Sequence, residues 1–326
     1  MAAQKDSTIT YRPELAGAVR EFAAVDNIRT MFIGEKVLPF STVEEVTGQY
    51  PLISKENFRK AAETKRAPGG AFPRGDWAWS ADNFTCVERA WENALDKKTI
   101  GMYRAVMDQE AEAAIGADYV VRLSHERAVA AAVMNTTTFT AVNVAATWAT
   151  IASSTPLVDL DTNCNTLENQ TGLPRTMFSL VLPRTGWQYL RTAAEVLDRV
   201  KYTMPNAFGP TDIRLDLIAT YLDIKEILIG PSVYDSANEG IAQSFSNIWP
   251  SQYGMLAVLA PGPAAPRQTM CLGRTLRWTY EMPDDVTIET YDDDPRDSHI
   301  IRARQYTDEK IVSDFAGILL DITAAS

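Results

Sequence analysis

The chain has 326 residues and 36.1 kDa, 46% hydrophobic and 22% charged, which is enough apolar matter for one large or two modest cores. Its net charge of −11 argues against a surface built to grip nucleic-acid phosphates, and no run of about 18 apolar residues is present to span a bilayer. Cys86, Cys164 and Cys271 stand far apart with no CxxC spacing, so buried thiols are expected in place of a disulfide or zinc framework.

The opening MAAQKDSTITYRPE has no apolar stretch of the kind a signal peptide needs, so a protein made and kept in a cytoplasm, or released by lysis, is expected. Residues 1–31 read as an arm with a short helix opened by Pro13, carrying Leu15, Val19 and Phe22 on one side. FIGEKVLPF (32–40) reads as an apolar strand stopped by Pro39. Residues 42–53 alternate weakly, as does WAWSADNFTCVERAW further on, so two strands are expected. Between them lies a basic excursion rich in glycine and proline, with Pro68, Gly69, Gly70, Pro73 and Gly75 close together. A loop of this length in a compact domain needs a surface elsewhere to lie on.

Residues 108–135 organise the rest. Asp108 is suited to cap a helix, because its carboxylate can bond the free amides of the first turn. Behind it Ala113, Ala117, Val120, Val121, Ser124, Ala128, Ala131 and Val133 repeat mostly at three- and four-residue steps. Asp118 and Arg122 are spaced to pair along the same helix. At 1.5 Å per residue this helix would run about 40 Å and would need something broad beside it.

A Thr/Ala-rich passage (136–155) and the polar DLDTNCNTLENQTG follow. Then come a strand at 177–182, a helix at 184–199, a second helix at 212–221, and strands at 224–229 and 254–260. That alternation over 175–260 reads as a small α/β unit. Beyond a Pro-rich hinge at 262–266, strands are expected at 275–282, 286–291 and 300–306, with a closing apolar piece at 310–322. These segments are expected to form a sheet against the long helix.

Recognisable catalytic chemistry is absent. Neither G-x-S-x-G, G-x-G-x-x-G, a phosphate loop nor HExxH occurs. His125 lacks a second ligand at i+4 and is expected at the helix surface, and His299 is read the same way. Asp292, Asp293, Asp294 and Asp297 depart from the calcium-loop spacing, so a solvated acidic turn is expected. Charge is unevenly spread: residues 55–75 hold Lys55, Arg59, Lys60, Lys65, Arg66 and Arg74, whereas residues 280–314 are strongly acidic. Between copies of one chain, that asymmetry would be complementary.

The order of these elements, and several strings in that order, carry a resemblance. FIGEKVLPF with VTGQYP, the KRAPGG stretch, NFTCVERAW, LVLPRTGWQYLRT, LIATYLDIKEILIGPSVYDSANEG, IWPSQYGMLAVLAP and YTDEKIVSDFAG occur collinearly over about residues 30 to 322. In this the chain resembles the major capsid proteins of tailed bacteriophages, the HK97-like fold. The resemblance implies an α+β architecture with an N-terminal arm (1–40), an extended two-stranded loop or E-loop (41–95) and a peripheral domain (96–174 and 262–326) built on the spine helix. An α/β axial domain (175–261) is inserted into it.

It also implies a structural role with no catalytic residue, cofactor or metal. Pentamers and hexamers would form an icosahedral shell around double-stranded DNA, contacted non-specifically, with a portal, cement proteins and no membrane. The shell would be assembled in the cytoplasm of a bacterial host and end as the virion capsid. Only about 30 residues precede Phe32, too few for a fused scaffolding domain of ordinary size, so a separate scaffolding protein, or none, is expected. The implied contact between subunits sets Arg59, Lys60, Lys65, Arg66, Pro68 and Gly69 of the loop against acids among Asp292, Asp293, Asp294 and Asp297. Two other readings stand beside this one. One is an encapsulin-type compartment of the same fold that packages an enzyme; the other is a cytoplasmic α+β enzyme with a carboxylate site that no motif reveals.

Overall fold

A computed structural model of the chain describes residues 10–11, 15, 31–53, 64–66, 68, 70–72, 74, 79–103, 108–203, 214–238, 240–262, 270–280 and 285–325. In chain order the first elements are β1 (Thr10–Tyr11), α1 (Gly34–Val37), β2 (Phe40–Val43), β3 (Thr47–Ile53), β4 (Trp79–Thr85), β5 (Val87–Asp96) and α2 (Lys97–Tyr103). The long helix is α3 (Gln109–Val133), followed by β6 (Val142–Val144) and α4 (Pro156–Thr171). Then come β7 (Phe178–Pro183), α5 (Arg184–Thr192), α6 (Ala194–Thr203), α7 (Leu215–Leu222), β8 (Glu226–Gly230), β9 (Val233–Asp235), β10 (Phe245–Asn247) and β11 (Tyr253–Val258). The chain ends with β12 (Gly273–Trp278), β13 (Thr287–Asp293), β14 (Ser298–Ile311) and β15 (Gly317–Ala325).

Two sheets carry the architecture. In the first, the fourteen-residue β14 is central. β5 pairs with it antiparallel from Ser298 to Thr307, and β12 and β13 lie end to end along its other edge. β2 and β1 extend that side, beyond β12 and β13 respectively. In the second sheet the order is β6-β15-β11-β7-β8. The expected division into one sheet per stretch of sequence therefore needs correction. The final strand β15 pairs with β11 and not with the strands lying against the long helix. Its residues Gly317, Ile318, Leu319, Leu320, Asp321 and Ile322 are all buried, because this sheet is covered on both faces.

The long helix forms where the sequence indicates, but its buried stripe runs through Ala113, Ala117, Val121, His125, Val129 and Val133, with Ala131 exposed and Val120, Ser124 and Ala128 half-buried. Asp108 accepts from the amide of Ala111 at 3.3 Å, and Arg122 Nε reaches Asp118 at 2.9 Å. Its buried Ala113, Ala114, Ala117 and Ala130 are small, so the sheets approach its backbone closely. At one end it packs on Ile288 and Ile301 with Leu15, and at the other Val129 and Val133 enter the core of Trp249, Leu272 and Leu319. Of the expected N-terminal helix, Leu15 alone is described, and it is buried; Val19 and Phe22 lie outside the described residues.

Other local expectations are revised. FIGEKVLPF is a short helix followed by a strand, because the amides of Ile33 and Gly34 turn onto the carboxylate of Glu126. The polar DLDTNCNTLENQTG stretch is helical within α4. Leu157, Leu160, Cys164 and Leu167 share its buried face, Pro156 opens it, and Gly172 closes it at φ 72°. The single helix expected at 184–199 is two, broken where Ala193 takes an extended ψ of 135°.

Candidate assembly surface

β3 and β4 pair antiparallel from Thr47↔Thr85 to Ile53↔Trp79, giving the two-stranded base of the extended loop. Its root is tied to the first sheet by Thr85 N, which donates to Asp308 Oδ2 at 2.8 Å, and its two sides are joined there by Cys86 N, which donates to Val46 O. The Tyr50 hydroxyl donates to Asp82 Oδ2 at 2.9 Å, and burial with that carboxylate pushes the phenol well above its ordinary range. Val43, Tyr50, Phe84, Leu276 and Val312 form the small core beneath.

Beyond this root the basic residues of the loop are exposed wherever they are described. Lys65, Arg66, Pro68 and Arg74 all face solvent, whereas Arg59, Lys60 and Gly69 lie outside the described residues. Arg66 Nε donates to Gly70 O, and its guanidinium lies 4.0 Å from the ring centroid of Phe72, which is 71% exposed. An aromatic ring with a stacked arginine, held clear of its own chain, has the composition of an interface anchor.

The acids proposed as partners sit together at the β13–β14 turn, and part of their charge is used inside the chain. Asp292 accepts from His299 Nδ1 at 2.7 Å, which holds its carboxyl below the usual range, and lies 3.5 Å from Lys97 Nζ. Asp297 is 4.0 Å from the same lysine, and Asp293 is 3.8 Å from Arg296. The turn is therefore a braced acidic corner, with Asp297 at positive φ closing it. Beside it run β5 and α2, since Asp96 stands opposite Ser298 and Lys97 N donates to Asp297 O.

Among the described residues β5 pairs only with β14 and leaves its other edge open, and its Val87 and Trp91 are exposed. An unpaired strand edge with apolar side chains is a template for contact with another chain. Across the sheet, Arg302 and Arg304 reach Glu289 at 2.7 and 2.6 Å, while Glu92 and Glu88 flank them at 3.5 and 3.6 Å. This ladder fixes the register of β5, β14 and β13 from one face.

Two buried polar centres went unnoticed at the level of sequence. His125 is buried, not at the helix surface. It stacks on Phe40 and lies 3.3 Å from Thr275 Oγ1 and 3.7 Å from Glu309 Oε1. Burial, with Arg89 and Arg122 nearby, lowers its pKa to about 3, so it is neutral at pH 7 and the contact with Glu309 is no ion pair there. Glu126, the next residue, accepts from Ile33 N at 3.1 Å, Gly34 N at 2.6 Å and Trp249 Nε1 at 2.7 Å, and burial raises its carboxyl. Among the described residues no three His, Cys, Asp or Glu side chains are grouped to hold a metal ion. No helix among them is long and apolar enough to cross a membrane.

Comparison with known proteins adds the architecture. No family model and no curated protein matches the chain. Among solved structures, a phage-related protein from Bordetella bronchiseptica RB50 aligns with a TM-score of 0.74 at 20% identity, covering 97% of this chain and 98% of that one. The capsid structure of the cyanophage P-SCSP1u aligns at 0.61 with 11% identity, covering 90% and 89% of the two chains. The chain has the HK97-like capsid fold. The mature capsid of bacteriophage PhiM1 aligns at 0.55 with 11% identity, over 88% of this chain and 86% of that one. In HK97-like terms the β3–β4 excursion is the E-loop and α3 is the spine helix, so both expected hallmarks of the fold are in place.

Proposed function

We propose that this chain is the major capsid protein of a tailed bacteriophage, assembling as pentamers and hexamers into a shell that encloses double-stranded DNA. The observation that carries this reading is the E-loop. Its root is fixed by Thr85, Cys86 and Tyr50, while Lys65, Arg66 and Arg74 beyond it are exposed, and a basic, Gly/Pro-rich excursion of this length needs a surface to lie on. A second copy supplies the missing surface, and repeating one such contact around a closed ring gives symmetric capsomers.

In this reading the spine helix and the β14 sheet form the peripheral domain, and residues 175–261 form the axial domain at capsomer centres. The basic loop segment carrying Arg59, Lys60, Lys65, Arg66, Pro68 and Gly69 is drawn to the acidic side of a neighbour, with partners for its charges among Asp292, Asp293, Asp294 and Asp297. The role is structural and not enzymatic, and the place of action is the virion. A separate scaffolding protein, a portal and cement proteins complete the particle, which is assembled in the host cytoplasm. A net charge of −11 suits an inner wall that lets DNA pack without sticking.

The test is size-exclusion chromatography with negative-stain microscopy on the purified chain, alone and co-expressed with the scaffolding protein of its phage. Rings of five and six or hollow polyhedra support the reading. A monomer in both preparations, at low and high salt, overturns it.

A further inference from the structure

The molecule has an open groove of about 480 Å³ between the end of β5 and the start of the spine helix, next to the acidic corner. Ala94, Leu95 and Ala113 give it apolar lining, and Asp96, Glu112 and Gln109 give it polar lining. Its hydrogen-bonding balance is one-sided. Asn93 Nδ2 already donates to Ala113 O at 2.7 Å, and the Thr99 hydroxyl already donates to Asp96 Oδ2 at 2.9 Å. On the acceptor side, Gln109 Oε1 is buried with no donor, and Asp96 and Glu112 have no cationic partner among the described residues. Lys97, the nearest cation in sequence, is directed at Asp292 and Asp297. The groove therefore presents acceptors that await a donor-rich cation, beside an apolar wall that awaits a hydrophobic group.

The chain itself carries a group of that composition. Arg66 uses one of its five N–H donors on Gly70 O and stacks on the exposed ring of Phe72, so cation and aromatic are presented as one unit. Neither residue lines the groove in its own chain. We propose that the groove receives the Arg66–Phe72 unit from the E-loop of a second copy, with the guanidinium between Asp96 and Glu112 and the ring against Ala94, Leu95 and Ala113. The proposal rests on the shell reading above and names the surface on which the loop lands. A buried guanidinium supplies the donor Gln109 lacks, and the Asp292–Asp297 corner alongside contributes long-range attraction.

The experiment places cysteines at Ala71→Cys, beside the unit and leaving it intact, and at Ala94→Cys in the groove wall. A short bis-maleimide is then applied to the full chain, alone and co-expressed with scaffolding protein. The native Cys86, Cys164 and Cys271 are buried and are expected not to react. Assembled particles are expected to yield a covalent ladder that neither single-cysteine chain gives. Arg66→Glu or Glu112→Lys in that background is expected to cut the ladder about tenfold, and the Arg66→Glu/Glu112→Lys swap to restore it in part. Particles that form normally without a ladder, or charge variants that cross-link like the parent, overturn the groove and leave the shell reading intact. A ladder in a chain that never exceeds small oligomers supports the contact and overturns the shell reading. Neither particles nor ladder in either preparation overturns both.

Discussion

The carboxylate of Glu126 accepts a hydrogen bond from the indole of Trp249 at 2.7 Å, joining residues 123 positions apart in sequence. The same carboxylate holds the amides of Ile33 and Gly34, so it links the entry to the loop, the spine helix and the segment before β11. Gly34 is required by this approach, because a Cβ there would stand 2.5 Å from Glu126 Oε2. Removing the carboxylate takes the acceptor from four buried donors, the amides of Ile33 and Gly34, the Trp249 indole and the Ser232 hydroxyl. Glu126→Ala is expected to lose about 3–5 kcal/mol of stability, and Gly34→Ala to lose stability by displacing the carboxylate. Urea unfolding followed by tryptophan fluorescence measures both; a loss below about 1 kcal/mol for Glu126→Ala would contradict the linking role.

His125 makes acid stability asymmetric. Its folded pKa of about 3 lies below the unfolded value of about 6.5, so the unfolded chain binds the extra proton as pH falls. The stabilisation is fully present above pH of about 6.5 and is lost on going down towards pH 3, at up to about 1.4 kcal/mol per pH unit. Glu126 and Glu309, whose carboxyls are raised by burial, work in the opposite sense at lower pH, so the comparison is made against a His125→Phe variant. The wild type is expected to lose stability faster than that variant between pH 6.5 and 4.5; parallel curves would show that His125 does not titrate this way.

The ladder over β5, β14 and β13 predicts another asymmetry. Glu289 is buried between Arg302 and Arg304, so Glu289→Ala leaves two cations without their shared anion. About 3 kcal/mol of destabilisation is expected. Glu88→Ala on the exposed side is expected to change stability by under about 0.5 kcal/mol. Equal shifts in the denaturant midpoint of the two variants would refute the distinction.

The cysteines are expected to be inert in the native state. All three are buried, and burial pushes Cys86 and Cys164 up to about 11 and raises Cys271 as well. A thiol-exchange reagent should count none in buffer at pH 8 and three in denaturant. Rapid reaction of one thiol in buffer would reveal a local opening.

Charge guides the assembly step in the proposed function. Reversing Arg59, Lys60, Lys65 and Arg66 to Glu is expected to leave folded chains that fail to close shells, because the loop would meet acids with acids. Circular dichroism checks the fold and electron microscopy checks the product. Normal shells from this variant at both low and high salt would remove the charge argument.

Local physics was readable in the linear chain. Asp108 and the small-residue steps behind it specify a capped helix, and the two alternating runs around the Gly/Pro-rich excursion specify a paired loop root, because each depends on near neighbours. Helix α4 was not read from the sequence, because its polar surface residues hide the helical spacing of Leu157, Leu160, Cys164 and Leu167 between Pro156 and Gly172. What only the tertiary structure decided concerns partners far apart in sequence. That β15 joins β11, that His125 and Glu126 are interior, and that Asp96 and Glu112 flank one groove follow from packing between distant segments. Burial of a charged residue and choice of a strand's neighbour depend on which surfaces meet, and periodicity along the chain carries no record of that.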